Sequence, residues 1–262
     1  MSGSGNDFVF FDARTDRPGD LEDPDVVARL CARSTGIGSD GVVFLQNDAV
    51  EAFRIRYLNC DGSMAELCGN ASLCTATLAV HLGLADPTGF RFATDAGPIS
   101  ARILNAEPEI DLRPVSELRA SSDMKIAANE LRIGFADTGV PHLVVLVKRL
   151  DLVSVDERGA ALRHHPSLPS GANVNFVAEG VGGRWHMRTY ERGVERETLA
   201  CGTGAVAAAA LLEAWGLTNK EIQLETRSQR VLTVTLRQQA EETSPSLRGD
   251  GRLVFAGELF DI

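Results

Sequence analysis

Two cysteines stand in nearly the same local sequence, Glu66-Leu67-Cys68-Gly69-Asn70-Ala71 and Leu199-Ala200-Cys201-Gly202-Thr203-Gly204-Ala205. Each opens a stretch of small and aliphatic residues, and each stretch closes on a Gly-Leu pair, Gly83-Leu84 and Gly216-Leu217. Both patterns predict a helix that starts at the cysteine. The first turn of a helix leaves backbone N–H groups unpaired and carries partial positive charge, so a carboxylate can bind there without a side chain. A cysteine in that place has its thiolate stabilised. The glycine after each cysteine lets a ligand approach the backbone closely.

Two such helix starts facing one another across a domain cleft form an acid–base pair. The α-carboxylate of a bound amino acid is held by both, and its Cα lies between two sulfurs. One thiolate removes the α-proton while the opposite thiol delivers a proton to the other face, which inverts the stereocentre. A single general base contributes roughly 10²–10⁴-fold. That is too little for an amino-acid α-proton, so oriented helix dipoles in a dry site must also stabilise the carbanion. The alternative electron sink, pyridoxal phosphate, needs a Schiff-base lysine. The three lysines, Lys125, Lys148 and Lys220, lie near no site-like motif, so no cofactor is expected. One lone cysteine would read as core; the matched pair reads as catalytic, with a non-catalytic amino-acid-binding module as the competing possibility.

The elements that must position these cysteines also come in two sets. Alternating strand-like runs precede the motifs at Phe53–Asn59 and Arg184–Glu191, and hairpin-like segments follow at Phe90–Thr94 with Ile99–Leu104 and at Ile222–Arg227 with Val231–Arg237. Each half carries an outer helix. Asp23 caps one, Pro24 opens it, Val26, Val27, Leu30 and Cys31 form its apolar stripe and Gly36 ends it. Asp156–Arg163 is the weaker counterpart. The fold class expected is α/β (α+β), two pseudo-symmetric domains with strands wrapped around a central helix. The domains are expected at 1–114 and 115–251, with a last strand at about 252–262 open to pairing with the first.

Composition narrows the function classes. The chain has 262 residues with a net charge of −10, which gives no electrostatic footprint for nucleic acid or an anionic membrane. No apolar run spans a bilayer and the start has no signal-peptide character. Five cysteines, an odd count, suit a reducing compartment, so the cytoplasm is expected. Cys60, Cys68 and Cys74 lack zinc-site spacing, and no metal is expected. Cys31, Cys60 and Cys74 read as packing residues, His81 and His186 as structural, and His164 and His165 as exposed loop positions. Gly36-Ile37-Gly38-Ser39-Asp40-Gly41 matches the dinucleotide fingerprint literally. It follows a predicted helix and precedes the strand Val42–Leu45, the reverse of what that fingerprint requires, and reads instead as a turn lining the pocket.

Six ordered motifs carry a resemblance over nearly the whole chain: Gly3-Ser4-Gly5-Asn6-Asp7-Phe8; Gly36–Gly41; Asn59-Cys60-Asp61-Gly62-Ser63 leading to Cys68-Gly69-Asn70; Thr138-Gly139-Val140-Pro141-His142; Asn173-Val174-Asn175-Phe176; and Glu191-Arg192-Gly193 leading to Glu197-Thr198-Leu199-Ala200-Cys201-Gly202-Thr203-Gly204. Together they resemble the diaminopimelate epimerase family. The resemblance implies Cys68 and Cys201 as the proton-transfer residues, with His142 and Glu191 beside the thiols tuning their protonation. It implies that backbone N–H groups of Gly69, Asn70, Gly202 and Thr203 hold the reacting carboxylate. Asn6, Asn59, Asn173, Glu191 and Arg192 would hold the rest of the substrate, Arg192 clasping a distal carboxylate bidentately. It further implies a homodimer and epimerisation of LL-2,6-diaminopimelate to the meso form, which serves lysine and peptidoglycan precursor synthesis. Leu73 and Val140 stand where family members usually carry arginine and asparagine. The substrate alternative is therefore another amino acid such as histidine or glutamate.

Overall fold

The computed structural model describes residues 1–239 and 242–260. Among these the chain forms four α-helices, α1 (Pro24–Cys31), α2 (Gly69–His81), α3 (Val155–Arg163) and α4 (Gly202–Ala214), set among short strands. Contacts divide it into two compact units, Met1–Ile110 with Gly249–Ile262, and Asp111–Arg248. No described helix is long and apolar enough to cross a membrane.

In the first unit, strand Asn6–Asp12 runs parallel to Gly41–Gln46, which pairs antiparallel with Arg54–Asn59. Arg54 meets Ala93 of Phe90–Thr94 in parallel, and that strand forms a hairpin with Gly97–Leu104, which pairs with Glu107–Asp111. A parallel pair needs a crossover, and α1 supplies it. Asp23 caps α1 through a bond from the Asp25 N–H, and Pro24 occupies the first turn. The apolar stripe of α1 puts Val27 and Cys31 against Val42, Phe44 and Leu58. Burying Val27 and Leu30 fully stabilises this packing by roughly 1.5–3 kcal/mol each.

The second unit repeats the order. Pro141–Val147 runs parallel to Asn173–Glu179, which pairs antiparallel with Trp185–Glu191. Trp185 meets Leu224 of Glu221–Glu225 in parallel, and a hairpin leads to Val231–Gln239 and on to Glu242–Arg248. Here α3 is the crossover, and Val155 and Leu162 pack on Val174, Phe176 and Tyr190.

The inner helices explain the wrapping. α2 and α4 each have 13 residues. Gly69 to Ala76 are all buried in α2, and Gly204 to Leu212 in α4. A helix apolar on every side belongs in a core, and Ala, Ser, Cys and Gly keep it thin enough for strands to close around it.

Several expectations need correction. α1 ends at Cys31 rather than at Gly36. Residues 32–38 fold back, and the N–H groups of Ile37 and Gly38 both donate to the Leu30 carbonyl, at 2.9 and 3.1 Å. Gly36 is needed for the close approach, because a Cβ there would lie 2.1 Å from the Arg29 carbonyl oxygen. The strand expected at about 252–262 is absent among the described residues apart from one bridge, Ser2 with Arg252. Leu253, Val254 and Phe255 are exposed there, and residues 261–262 of that span, like 240–241 of the second expected domain, lie outside the described residues. Cys60 is exposed rather than packed, because it sits at the start of the turn that Gly62 closes onto Asn59. His81 is exposed at the last position of α2, and His165 is half-buried, bonded to Ser167.

Candidate active site

In the first unit the candidate residues gather at the start of α2. Cys68 is its N-cap, with an extended backbone at φ −127°, ψ 118°. The chain turns helical at Gly69, so the first-turn N–H groups begin at the cysteine. Asn70 is only 2% exposed, and its side chain is set by a relay. Arg33 donates to both Asp7 and Asp40, Asp40 accepts from Asn6 Nδ2 at 2.8 Å, and Asn6 Oδ1 accepts from Asn70 Nδ2 at 2.6 Å. Burial alone would push the Asp7 carboxyl up, but the Arg33 hydrogen bonds hold it below its usual value. The relay fixes the orientation of both amides, because a carboxylate only accepts. Asn70 Oδ1 is left buried with no partner among the described residues. The structure thus joins Asn6 to Asn70. It puts Asn59 in a separate turn, where its Nδ2 donates to Ser63 Oγ at 3.0 Å.

In the second unit they gather at the start of α4. Cys201 is the N-cap at φ −138°, ψ 112° and is 8% exposed. Its Sγ accepts from the Gly204 N–H at 3.4 Å and lies 3.5 Å from Thr203 Oγ1. Thr138 Oγ1 reaches the Thr203 carbonyl at 3.5 Å, tying the loop after strand Glu130–Asp137 to this turn. Gly202 is buried behind it.

Strands deliver the remaining side chains. Asn173 opens Asn173–Glu179, and its Oδ1 accepts the backbone N–H of Arg192 at 2.8 Å. Arg192 Nη1 donates to the Ser170 carbonyl at 3.3 Å, and no described carboxylate pairs with this guanidinium. Glu191, half-buried, ends its strand just before. His142 is completely buried next to Asn173 in the strand register. Burial, and then the charge of Arg192, pushes its pKa down to about 3. A tuning role for His142 is therefore that of a neutral hydrogen-bonding ring, not of an imidazolium.

Sequence reasoning passed over Asn175. It is fully buried, touches His142 and lies against the start of α4. The signal was present: two asparagines two residues apart on an apolar strand share one face. Thr189, directly across the ladder, donates to Asn175 Oδ1 at 3.0 Å.

The family model described as diaminopimelate epimerase matches residues 1–115 and 134–252. The diaminopimelate epimerase of Gemmatimonas aurantiaca is 46% identical, over 99% of this chain and 97% of its own. That of Aquifex aeolicus is 37% identical, over 99% and 96%. Among solved structures, a Bacillus anthracis phenazine biosynthesis protein of the PhzF family has a TM-score of 0.73 at 18% identity, covering 95% of this chain and 91% of that one. A predicted epimerase from Pseudomonas aeruginosa has a TM-score of 0.70 at 20% identity, covering 100% and 98%. At such identities the structural likeness speaks for the fold alone.

Proposed function

The chain belongs to the diaminopimelate epimerase family, and from that membership we propose that it epimerises LL-2,6-diaminopimelate to the meso form with Cys68 and Cys201 as its proton-transfer pair. The observation that carries this reading is the equivalence of the two cysteines. Each is the N-cap of a buried 13-residue helix, with nearly the same extended backbone and a glycine next. Such a position favours a thiolate and offers backbone N–H groups to a carboxylate.

The reaction follows from those parts. One sulfur, as thiolate, takes the proton from the α-carbon as the C–H bond breaks. The electron pair left on carbon is stabilised through the adjacent carboxylate, held by the N–H groups of Gly69, Asn70, Gly202 and Thr203. The other cysteine gives its S–H proton to the opposite face and becomes the thiolate. The cysteines exchange protonation states, so no net charge or electron is gained, and the reverse substrate reverses the roles. Arg192, with no carboxylate partner among the described residues, suits the distal carboxylate, and Asn6, Asn59, Asn173 and Glu191 suit the remaining polar groups of the substrate.

The same reading includes a homodimer in the cytoplasm, where a reducing environment keeps both thiols usable; sedimentation of the purified chain tests the dimer. The direct test of function is incubation with LL-diaminopimelate in heavy water without added cofactor. Deuterium at one α-carbon and accumulation of the meso isomer are expected. Absence of exchange, or exchange only with histidine or glutamate, overturns the assignment.

A further inference from the structure

A buried hydrogen-bond network around His142 decides which of its ring nitrogens carries the proton. Asn175 Nδ2 lies 3.0 Å from the Leu143 carbonyl oxygen and 3.1 Å from His142 Nδ1. Its Oδ1 faces Thr189 Oγ1 at 3.0 Å. A carbonyl oxygen can only accept. The atom of Asn175 facing Leu143 must therefore be the nitrogen, and rotating the amide would set two acceptors against each other. The second hydrogen on that nitrogen points at His142 Nδ1, which must accept it. In a neutral imidazole the proton then resides on Nε2.

His142 Nε2 is buried and meets no partner among the described residues. A buried donor left unsatisfied is costly, so a fold that fixes the proton there keeps a donor in reserve. The network also touches the chemistry. A Cβ on Gly204 would lie 2.3 Å from Asn175 Oδ1 and 3.2 Å from Cys201 Sγ, so Asn175 and the thiol flank the same backbone atom at the start of α4.

We propose that Asn175 is a positioning residue that holds His142 as its Nε2–H tautomer, making the ring a standing hydrogen-bond donor, and not a proton acceptor, toward anionic groups of the proposed site. This rests on the epimerase reading for the identity of those anions, but the tautomer itself does not. Asn175 acts through His142 and needs no contact with substrate.

The test is nitrogen NMR of the full chain labelled with ¹⁵N-histidine. There are five histidines, and the spectrum of a His142→Gln variant identifies the signals of His142. The expected result is a protonated Nε2 and a bare Nδ1. A protonated Nδ1 in the unaltered protein overturns the proposal without any variant. Asn175→Asp replaces the donor with an acceptor and is expected to draw the proton to Nδ1. It should lower kcat about 10²–10⁴-fold, in line with wrong-tautomer effects elsewhere, with a much smaller change in KM. A folded Asn175→Asp enzyme that keeps Nε2–H, or one that changes tautomer yet turns over normally, refutes it. If LL-diaminopimelate proves not to be the substrate, the epimerase reading fails while the tautomer measurement still decides this one.

Discussion

The Sγ atom of Cys201 accepts a hydrogen bond from the backbone N–H of Gly204 at 3.4 Å, so the proposed catalytic sulfur is also the cap of α4. The two roles separate by substitution. Serine is a good N-cap, but its hydroxyl is a far weaker acid than a thiol. Cys201→Ser should melt within about 1 kcal/mol of the unaltered protein, with Cys201→Ala about 0.5–2 kcal/mol less stable than Cys201→Ser. Both should lose α-deuterium exchange by 10²-fold or more, on the order of a general base. Full exchange in Cys201→Ser would remove the sulfur from the mechanism.

Gly204 is the point where the helix start and the Asn175 network touch. A methyl group there would meet Asn175 Oδ1 at 2.3 Å and Cys201 Sγ at 3.2 Å. Alanine suits a helix interior better than glycine, so local propensity predicts a gain in stability. The clash predicts the opposite, a loss of about 1–3 kcal/mol as for other overpacked sites, together with reduced exchange activity. Urea unfolding of Gly204→Ala decides between them; a stabilised, fully active variant would show that the helix start shifts freely.

How far the sequence carried the fold can be judged at these same residues. The helix starts at Cys68 and Cys201 were legible because composition changes abruptly there, and the strands because their alternation is clean. The end of α1 was misplaced because Gly36 is a familiar stop signal. Here it serves the loop that folds back on the last carbonyls, a tertiary contact that no local pattern shows. The strand expected after Arg252 failed for a similar reason: Leu253, Val254 and Phe255 have the right residue types but no partner strand among the described residues. Within the site, residue types marked Asn173 and Arg192, but not that the Asn173 side chain holds the Arg192 backbone. His142 was legible as a site residue, while its neutrality depends on complete burial. Asn175 was passed over because its neighbours in the strand are apolar.

Asn173 and Arg192 form a unit, since Asn173 Oδ1 holds the Arg192 N–H at 2.8 Å. Removing that acceptor frees the backbone that aims the guanidinium. Asn173→Ala should raise KM for diaminopimelate by about tenfold or more, the cost of one hydrogen bond in a charged recognition site. Arg192→Lys, which keeps the charge but loses the fork, should do the same. Steady-state kinetics check both; an unchanged KM in Arg192→Lys places the distal carboxylate elsewhere.

The cysteines outside the proposed pair should differ sharply in reactivity. Burial pushes the Cys74 thiol up to about 12, and burial also raises Cys31. Neither presents a thiolate near neutral pH, and the thiolate is the reactive form. Cys60 is exposed. Brief alkylation of the native protein at pH 8, followed by peptide mass analysis, should find Cys60 modified and Cys31 and Cys74 untouched. Labelling of Cys74 before unfolding would contradict its place in the core of α2.

His142 should make the fold sensitive to mild acid. Its ordinary pKa of 6.5 falls to about 3 in the folded chain, through burial first and the Arg192 charge second. Between those values the unfolded chain binds a proton that the folded chain refuses, so stability declines as pH falls from 6.5 towards 3 and is indifferent to this group above 6.5. The slope is at most about 1.4 kcal/mol per pH unit. Carboxylates also titrate in the lower part of this range, so the informative quantity is a difference between proteins. His142→Gln has no such proton to refuse. From pH 6.5 to pH 5 the unaltered chain should lose about 2 kcal/mol relative to this variant, measured by urea unfolding at each pH. Parallel stability profiles would mean that His142 takes up its proton in the folded state, which complete burial beside a guanidinium opposes.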